Sequence, residues 1–73
     1  MFIVVVEDER GALISEHMLG GQPIRLGRTP ENDVILPGGA VSRRHATIIL
    51  RAGTVFISDA GSSNGVIVDD QRI

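Results

Sequence analysis

Short apolar segments of strand length, each ended by turn-forming residues, recur along the whole chain and restrict its fold more than any other feature. Val and Ile dominate these segments, and both favour strands because their branched side chains fit a pleated surface. No segment of useful length carries the apolar period of a helix. The predicted strands cover residues 2–6, 12–19, 24–26, 34–36, 44–50, 54–58, 66–68 and 72–73. Many short strands with Gly, Pro and Asn between them predict an all-β fold, an antiparallel sandwich or barrel.

The length of the chain and its lack of cysteine limit the fold and the compartment. Its 73 residues suffice for one small domain, 1–73, and a domain of this size buries only about 60% of its unfolded surface. Without cysteine the chain has no disulfide framework and no thiolate metal site, so we expect a cytoplasmic protein. The longest apolar run, residues 1–6, is too short to cross a bilayer or to act as a signal peptide.

Three polar motifs fall in loops between the predicted strands. They are Gly27-Arg28, Ser42-Arg43-Arg44-His45 and Ser62-Ser63-Asn64-Gly65. An arginine fork matches phosphate oxygens, a serine hydroxyl adds a short donor, and an asparagine amide can both donate to and accept from a peptide backbone. Because strands fix the bases of such loops, the tips are well placed to meet a ligand. The motifs therefore predict a small phosphate-binding pocket.

Positive charge is concentrated in the middle of an otherwise acidic chain. Residues 25–51 hold five arginines and two acids, a local charge of +3, whereas the rest holds two arginines and seven acids, a local charge of −5; the sum is the net −2. Nucleic-acid-binding proteins usually spread positive charge over a whole face. A focused basic region instead indicates a compact anionic ligand, with neither nucleic acid nor a membrane as partner.

The three motifs together resemble the forkhead-associated (FHA) domain, a module that binds phosphothreonine peptides. The Gly-Arg, Ser-x-x-His and Asn-Gly elements stand in the family's order and at about its spacings, and the resemblance covers roughly residues 22–73. It implies a β-sandwich of the FHA type that binds without catalysis, cofactor or metal. Its partners would be proteins phosphorylated on threonine, as substrates of a Ser/Thr kinase in signalling.

The resemblance also implies roles for individual residues. Arg28 and Ser42 would contact the phosphate, and Asn64 would bond to the peptide main chain. The phosphopeptide-binding positions implied in this way are Arg28, Ser42, Arg43, Ser63 and Asn64. Those that match loop-shaping positions, and so would support the site, are Gly27, His45 and Gly65. The chain departs from the family at Asp69-Asp70, where Asn-Gly is frequent and gives a stronger turn signal.

The chain is short for the family it resembles, whose domains have roughly 100 residues, as other common sandwiches do. Family members close with strands that pair with the first strand. Without them, residues 2–6 would present an open edge with Ile3, Val4 and Val5 exposed, and such edges invite pairing with another chain. We therefore expect a homodimer in which the N-terminal strands pair or exchange. The alternative is a longer protein whose further strands restore a monomer.

Two other functions use the same residues. Ser42, His45 and Asp59 are the residue types of a hydrolase triad, but no Gly-x-Ser-x-Gly elbow surrounds the serine, so we do not expect an enzyme. The alternative that stays open is a degenerate FHA module that assembles with a partner independently of phosphate.

Overall fold

The computed structural model describes residues 2–73 and contains eight β-strands there. They are β1 (Phe2–Glu7), β2 (Leu13–Leu19), β3 (Ile24–Gly27), β4 (Val34–Ile35), β5 (Ala46–Arg51), β6 (Thr54–Asp59), β7 (Ile67–Val68) and β8 (Gln71–Arg72). Each strand begins and ends within two residues of a predicted segment, so the all-β prediction is confirmed. Within this part of the chain, no helix is long and apolar enough to span a membrane.

The strands form a sandwich whose core lies between two sheets. One is the antiparallel β1-β2 hairpin, and the other has four strands in the order β4-β3-β5-β6, while β7 and β8 form a small separate pair. Leu19, Ile24 and Val34 are buried at the centre of this core. The half-buried side chains packed against them come from both sheets and are Val4, Val6, Leu26, Leu36, Ile48 and Leu50. In β1, β3 and β5 alternate residues thus face the core, as the period of a strand requires.

One strand pair departs from the antiparallel arrangement that the sequence predicts. β3 and β4 run parallel, with Leu26 opposite Val34, although only residues 28–33 connect them. Parallel strands normally need a longer crossover. A side chain of the connecting loop stabilises this short connection. Asp33 Oδ2 accepts a hydrogen bond from the Arg25 backbone N–H at 2.9 Å. This N–H would otherwise need a partner on a neighbouring strand.

Hairpin turns join the antiparallel strands. Ala52 and Gly53, between β5 and β6, have φ of 51° and 78°, and Asp69 and Asp70, between β7 and β8, have φ of 50° and 66°. Two successive residues at positive φ are typical of the hairpin turn that twists with its strands. Aspartate tolerates this region because its short side chain can bond locally. The turn at Asp69-Asp70 therefore forms without the Asn-Gly pair.

The first strand is less exposed than the sequence analysis expects. Ile3 and Val5 are exposed, but Val4 is half-buried and packs against the core, so the expectation that Val4 is exposed is wrong. The reason is the alternation of side chains along β1, which turns Val4 to the opposite face from its two neighbours. Within residues 2–73, β1 pairs only with β2. The homodimer stays a prediction.

Candidate functional site

The three polar loops meet at one end of the sandwich. They join β3 to β4, β4 to β5 and β6 to β7. Between them lies an open cleft of about 570 Å³, called here the basic cleft. Its lining residues are Arg28, Glu31, Ser42, Arg43, Arg44, Ala60, Gly61 and Ser63. Three arginines and one glutamate give the basic cleft a charge of +2 in a chain of net charge −2.

Arg28 follows the last residue of β3 and is anchored to the loop before β5. Its backbone N–H donates to the Ser42 carbonyl oxygen at 3.0 Å, and its Nε donates to the Val41 carbonyl oxygen at 3.1 Å. No hydrogen bond within residues 2–73 uses its terminal Nη groups. The side chain is thus held in place by Nε, while its terminal Nη groups make no hydrogen bond to the described part of the chain.

Ser42 is half-buried and lies beside Arg28 in the lining of the basic cleft. Its Oγ accepts a hydrogen bond from the Ser63 backbone N–H at 3.0 Å, which joins the second polar loop to the third. A hydroxyl has one hydrogen to donate besides its acceptor sites. With Oγ fixed as an acceptor, this hydrogen is available to a ligand oxygen in the basic cleft.

His45 ties the same two loops together from behind the basic cleft. Its Nδ1 lies 3.1 Å from the Ser42 backbone nitrogen and its Nε2 lies 2.8 Å from the Gly65 carbonyl oxygen. A backbone N–H can only donate and a carbonyl can only accept, so the ring is the neutral tautomer with the proton on Nε2. Gly65 has φ of 83°, a region that favours glycine. The two residues fix the positions of Ser42 and Ser63 relative to each other.

A second network holds the loop after β6 and was not predicted from the sequence. Asp59 Oδ1 accepts from the backbone N–H groups of Gly61 and Ser62 at 2.9 and 2.6 Å, and Oδ2 accepts from Ser62 Oγ at 2.9 Å. Ser62 Oγ in turn accepts from the Gly65 backbone N–H at 2.9 Å. The signal for this Asx turn is an aspartate followed by Ala-Gly-Ser, in which Gly61 stands two residues after Asp59.

This network makes the stability of the domain depend on pH. Hydrogen bonds from the backbone and side chain of Ser62 lower the pKa of Asp59 from its ordinary value. A carboxylate with a lowered folded-state pKa contributes stability above its unfolded-state pKa and loses it as the pH falls through the folded-state value.

We expect wild-type protein to lose thermal stability on acidification through and below the ordinary aspartate range. Asp59→Asn should be less stable at neutral pH and should lose less on acidification. Melting curves followed by circular dichroism over this pH range check the difference. Protonation of Asp33 also lowers the stability on acidification, because the hydrogen bond from the Arg25 backbone lowers the pKa of Asp33. An Asp59→Asn melting temperature that falls as steeply as that of wild type contradicts the assignment to Asp59.

Gly27 and Asn32 support the second polar loop. A Cβ at Gly27 would lie 2.1 Å from the Arg43 carbonyl oxygen and 2.6 Å from Asn32 Nδ2, so only glycine fits. Asn32 is buried, and its Nδ2 donates to the carbonyl oxygens of Arg43 at 2.7 Å and Thr29 at 3.0 Å. From the sequence alone Asn32 has no predicted role in the site, since an asparagine in a Thr-Pro-Glu-Asn-Asp segment is explained by a turn alone.

The structure places the residues named from the resemblance in three groups. Arg28, Ser42, Arg43 and Ser63 line the basic cleft together. Gly27, His45 and Gly65 lie behind it, in the contacts described above. Asn64 is not among the lining residues; its Nδ2 donates to the Ala40 carbonyl oxygen at 2.9 Å and links the third polar loop to the second. The binding role of each residue stays a prediction.

Arg44 also lines the basic cleft, although the sequence analysis gave it no binding role. Its Nε lies 3.7 Å from Glu31 Oε1, a surface ion pair between two exposed side chains. No group of three His, Cys, Asp or Glu residues within residues 2–73 could hold a metal ion.

Comparison with known proteins identifies relatives of this chain. The family model described as FHA domain matches residues 24–73. The FHA domain-containing protein FhaB of Mycobacterium tuberculosis is 32% identical over 73 residues, which is 99% of this chain and 45% of FhaB. The transcriptional regulatory protein EmbR of Mycobacterium tuberculosis is 45% identical over 49 residues, 67% of this chain and 13% of EmbR. The chain thus spans less than half the length of these curated relatives.

Two solved structures have the same fold as this chain. The FHA domain of the CT664 protein from Chlamydia trachomatis gives a TM-score of 0.77 with 36% identity, covering 97% of this chain and 71% of that one. Mycobacterium tuberculosis EmbR in complex with a low affinity phosphopeptide gives a TM-score of 0.74 with 31% identity, covering 92% of this chain and 20% of that one.

Proposed function

Because the chain belongs to the forkhead-associated (FHA) family, we propose that it binds phosphothreonine peptides in the basic cleft. The partners would be proteins phosphorylated by a Ser/Thr kinase, and the outcome of binding is recognition without chemistry. The complex of EmbR with a phosphopeptide supports this class of ligand. We propose the same phosphopeptide binding for any longer protein that contains this domain.

The observation that carries the proposal is that Arg28 and Ser42 are neighbours in the lining of the basic cleft. Arg28 is fixed through Nε to the Val41 carbonyl oxygen, and Ser42 is fixed through Oγ to the Ser63 backbone N–H. Both therefore keep donors for a ligand and lose little side-chain freedom when it binds. A phosphate with a charge of about −1.5 to −2 matches the basic cleft in charge and in donor geometry.

A hydrolase is disfavoured by the position of His45. A catalytic base must reach the hydroxyl that it activates. Here both ring nitrogens are bonded to backbone atoms, of Ser42 and of Gly65, and neither bonds to Ser42 Oγ. The histidine stabilises the loops, which fits a binding module.

A matched set of peptides tests the proposal. The same sequence is prepared with phosphothreonine, phosphoserine or threonine, and binding is measured by isothermal titration calorimetry. We expect the phosphothreonine peptide to bind more tightly than the phosphoserine peptide by about 10- to 200-fold, the range for one methyl-sized group in a fitted site. Ala60, which lines the basic cleft, offers that methyl an apolar contact.

The outcomes separate three functions. Negligible binding of the unphosphorylated peptide supports phosphate reading, and equal binding of all three peptides would instead favour phosphate-independent assembly. Equal affinities for phosphoserine and phosphothreonine would reduce the basic cleft to a general anion site. Affinity for the phosphorylated peptides should also fall as salt rises, since salt screens exposed charges.

A further inference from the structure

A second, more enclosed cavity of about 290 Å³ adjoins the basic cleft and is called here the side cavity. The two share Glu31, Arg44 and Ala60, so they are neighbouring depressions of one surface. On its far side the side cavity is lined by Arg25 of β3 and Thr47 of β5, which are opposite each other in the sheet. Its position makes it a natural place for a side chain next to the phosphorylated residue.

The lining of the side cavity selects a chemistry for that side chain. Arg25 and Arg44 contribute two positive charges, and each lies beside one carboxylate, Asp33 and Glu31 respectively, so the arginines and their partners together carry no net charge. The apolar lining consists of two alanines, Ala46 and Ala60, which offer little to a large hydrophobic group. The polar lining and the two arginine side chains, which can donate further hydrogen bonds, favour an acidic ligand group.

Both arginines have donors to spare. Arg25 uses Nε on Asp33 Oδ2 at 3.2 Å, and Arg44 uses Nε on Glu31 Oε1 at 3.7 Å. No hydrogen bond or ion pair among residues 2–73 engages their Nη groups. The side chain of Arg44 is 78% exposed and that of Glu31 is 57% exposed, so their ion pair is weak and easily exchanged.

Resting on the phosphopeptide function above, we propose that the side cavity is a second subsite that takes an acidic side chain of the phosphopeptide. Arg44 leaves Glu31 and binds the ligand carboxylate, and Arg25 binds it from the opposite wall. Glu31 holds Arg44 in place when the subsite is empty and competes with the ligand when it is not. The subsite therefore sets sequence preference, whereas Arg28 and Ser42 read the phosphate.

The test begins with a phosphothreonine peptide of neutral sequence in which one glutamate is placed at each neighbouring position in turn. Each glutamate peptide is compared with its glutamine counterpart by calorimetry. At one position we expect the glutamate peptide to bind about threefold to tenfold more tightly, as one or two exposed ion pairs give. The preference should disappear in Arg44→Gln and shrink in Arg25→Gln. Glu31→Gln should enlarge the preference for glutamate. A variant that merely lost structure would instead show a smaller preference.

Arg51→Gln is the matched control, because it removes the same charge from an exposed position outside both cavities. It should leave the preference for glutamate unchanged, and melting curves establish that all four variants are folded. If Arg51→Gln and Arg44→Gln lose the preference for glutamate equally, the preference comes from the electrostatic field of the whole domain, and the proposed subsite is wrong. Equal binding of glutamate and glutamine peptides at every position would overturn it as well. Only failure of every phosphothreonine peptide to bind would instead overturn the phosphopeptide function itself.

Discussion

Replacing Arg28 with alanine is expected to abolish phosphopeptide binding while leaving the domain folded. The substitution removes a charge-assisted donor fork from the basic cleft, and loss of such a partner costs roughly 2–5 kcal/mol when the pair is desolvated. That is a decrease in affinity of about 30-fold to several thousand-fold. The fold should survive because Arg28 is exposed and its side chain contributes one hydrogen bond, to the Val41 carbonyl oxygen.

Titration calorimetry measures the affinity, and circular dichroism verifies the fold. Ser42→Ala is the comparison within the basic cleft: loss of a neutral donor to a charged group costs about 1.5–3 kcal/mol, so it should weaken binding less. If Arg28→Ala binds within threefold of wild type, the phosphate is held elsewhere. An equal loss in both variants together with a lower melting temperature would point to collapse of the loops.

Substituting Gly27 with alanine should destabilise the domain and displace the second polar loop. The added Cβ would meet the Arg43 carbonyl oxygen at 2.1 Å, and that oxygen belongs to the backbone and already accepts a hydrogen bond from Asn32. Overpacking of this kind costs about 1–3 kcal/mol or more. In a domain of this size each kcal/mol lowers the melting temperature by roughly 4–8 °C.

Gly21→Ala provides the control, because a Cβ there meets nothing within 4 Å. Its melting temperature should stay close to that of wild type, and its affinity for phosphopeptide should not change. Gly27→Ala should lose affinity even at temperatures where it is folded, since Ser42 and Arg43 move with the displaced carbonyl. Equal melting curves for the two variants would show that the loop yields without cost and that Gly27 has no supporting role.

The sequence predicts the strands well because their signal is local. Most strands contain several branched or other apolar residues and have Gly, Pro or Asp within a few residues of an end, so the signal does not depend on distant residues. The parallel return of β4 beside β3 is not local in this sense. It depends on the side chains of Asn32 and Asp33 replacing backbone partners, and their residue types are equally common in an ordinary turn.

The residues of the candidate site also divide into those that the sequence predicts and those that it does not. Arg28, Ser42 and Ser63 are named from the three ordered motifs together, because an arginine or a serine alone at a loop tip is more often a solvated charge or a turn hydroxyl. All three line the basic cleft, and their binding role stays a prediction. Arg44 illustrates the limit, since an arginine beside an arginine predicts a solvated charge unless a cavity is seen next to it. The half-burial of Val4 was missed for a simpler reason: a continuous apolar run does not reveal which of its residues face the core.

The hydrogen bonds between Ser42 and Ser63 and between His45 and Gly65 join segments separated by about 20 residues. Such a site exists only in the folded chain, so a phosphopeptide binds the native state and not the unfolded one. Binding then adds to the free energy of unfolding, by about 2.7 kcal/mol when the ligand is at 100 times its Kd. Few side chains of this domain are buried, so a gain of this size matters to its stability. The gain is comparable to the cost of the Gly27→Ala substitution. Phosphorylation of a partner would thus also determine how long the domain itself stays folded and escapes proteolysis.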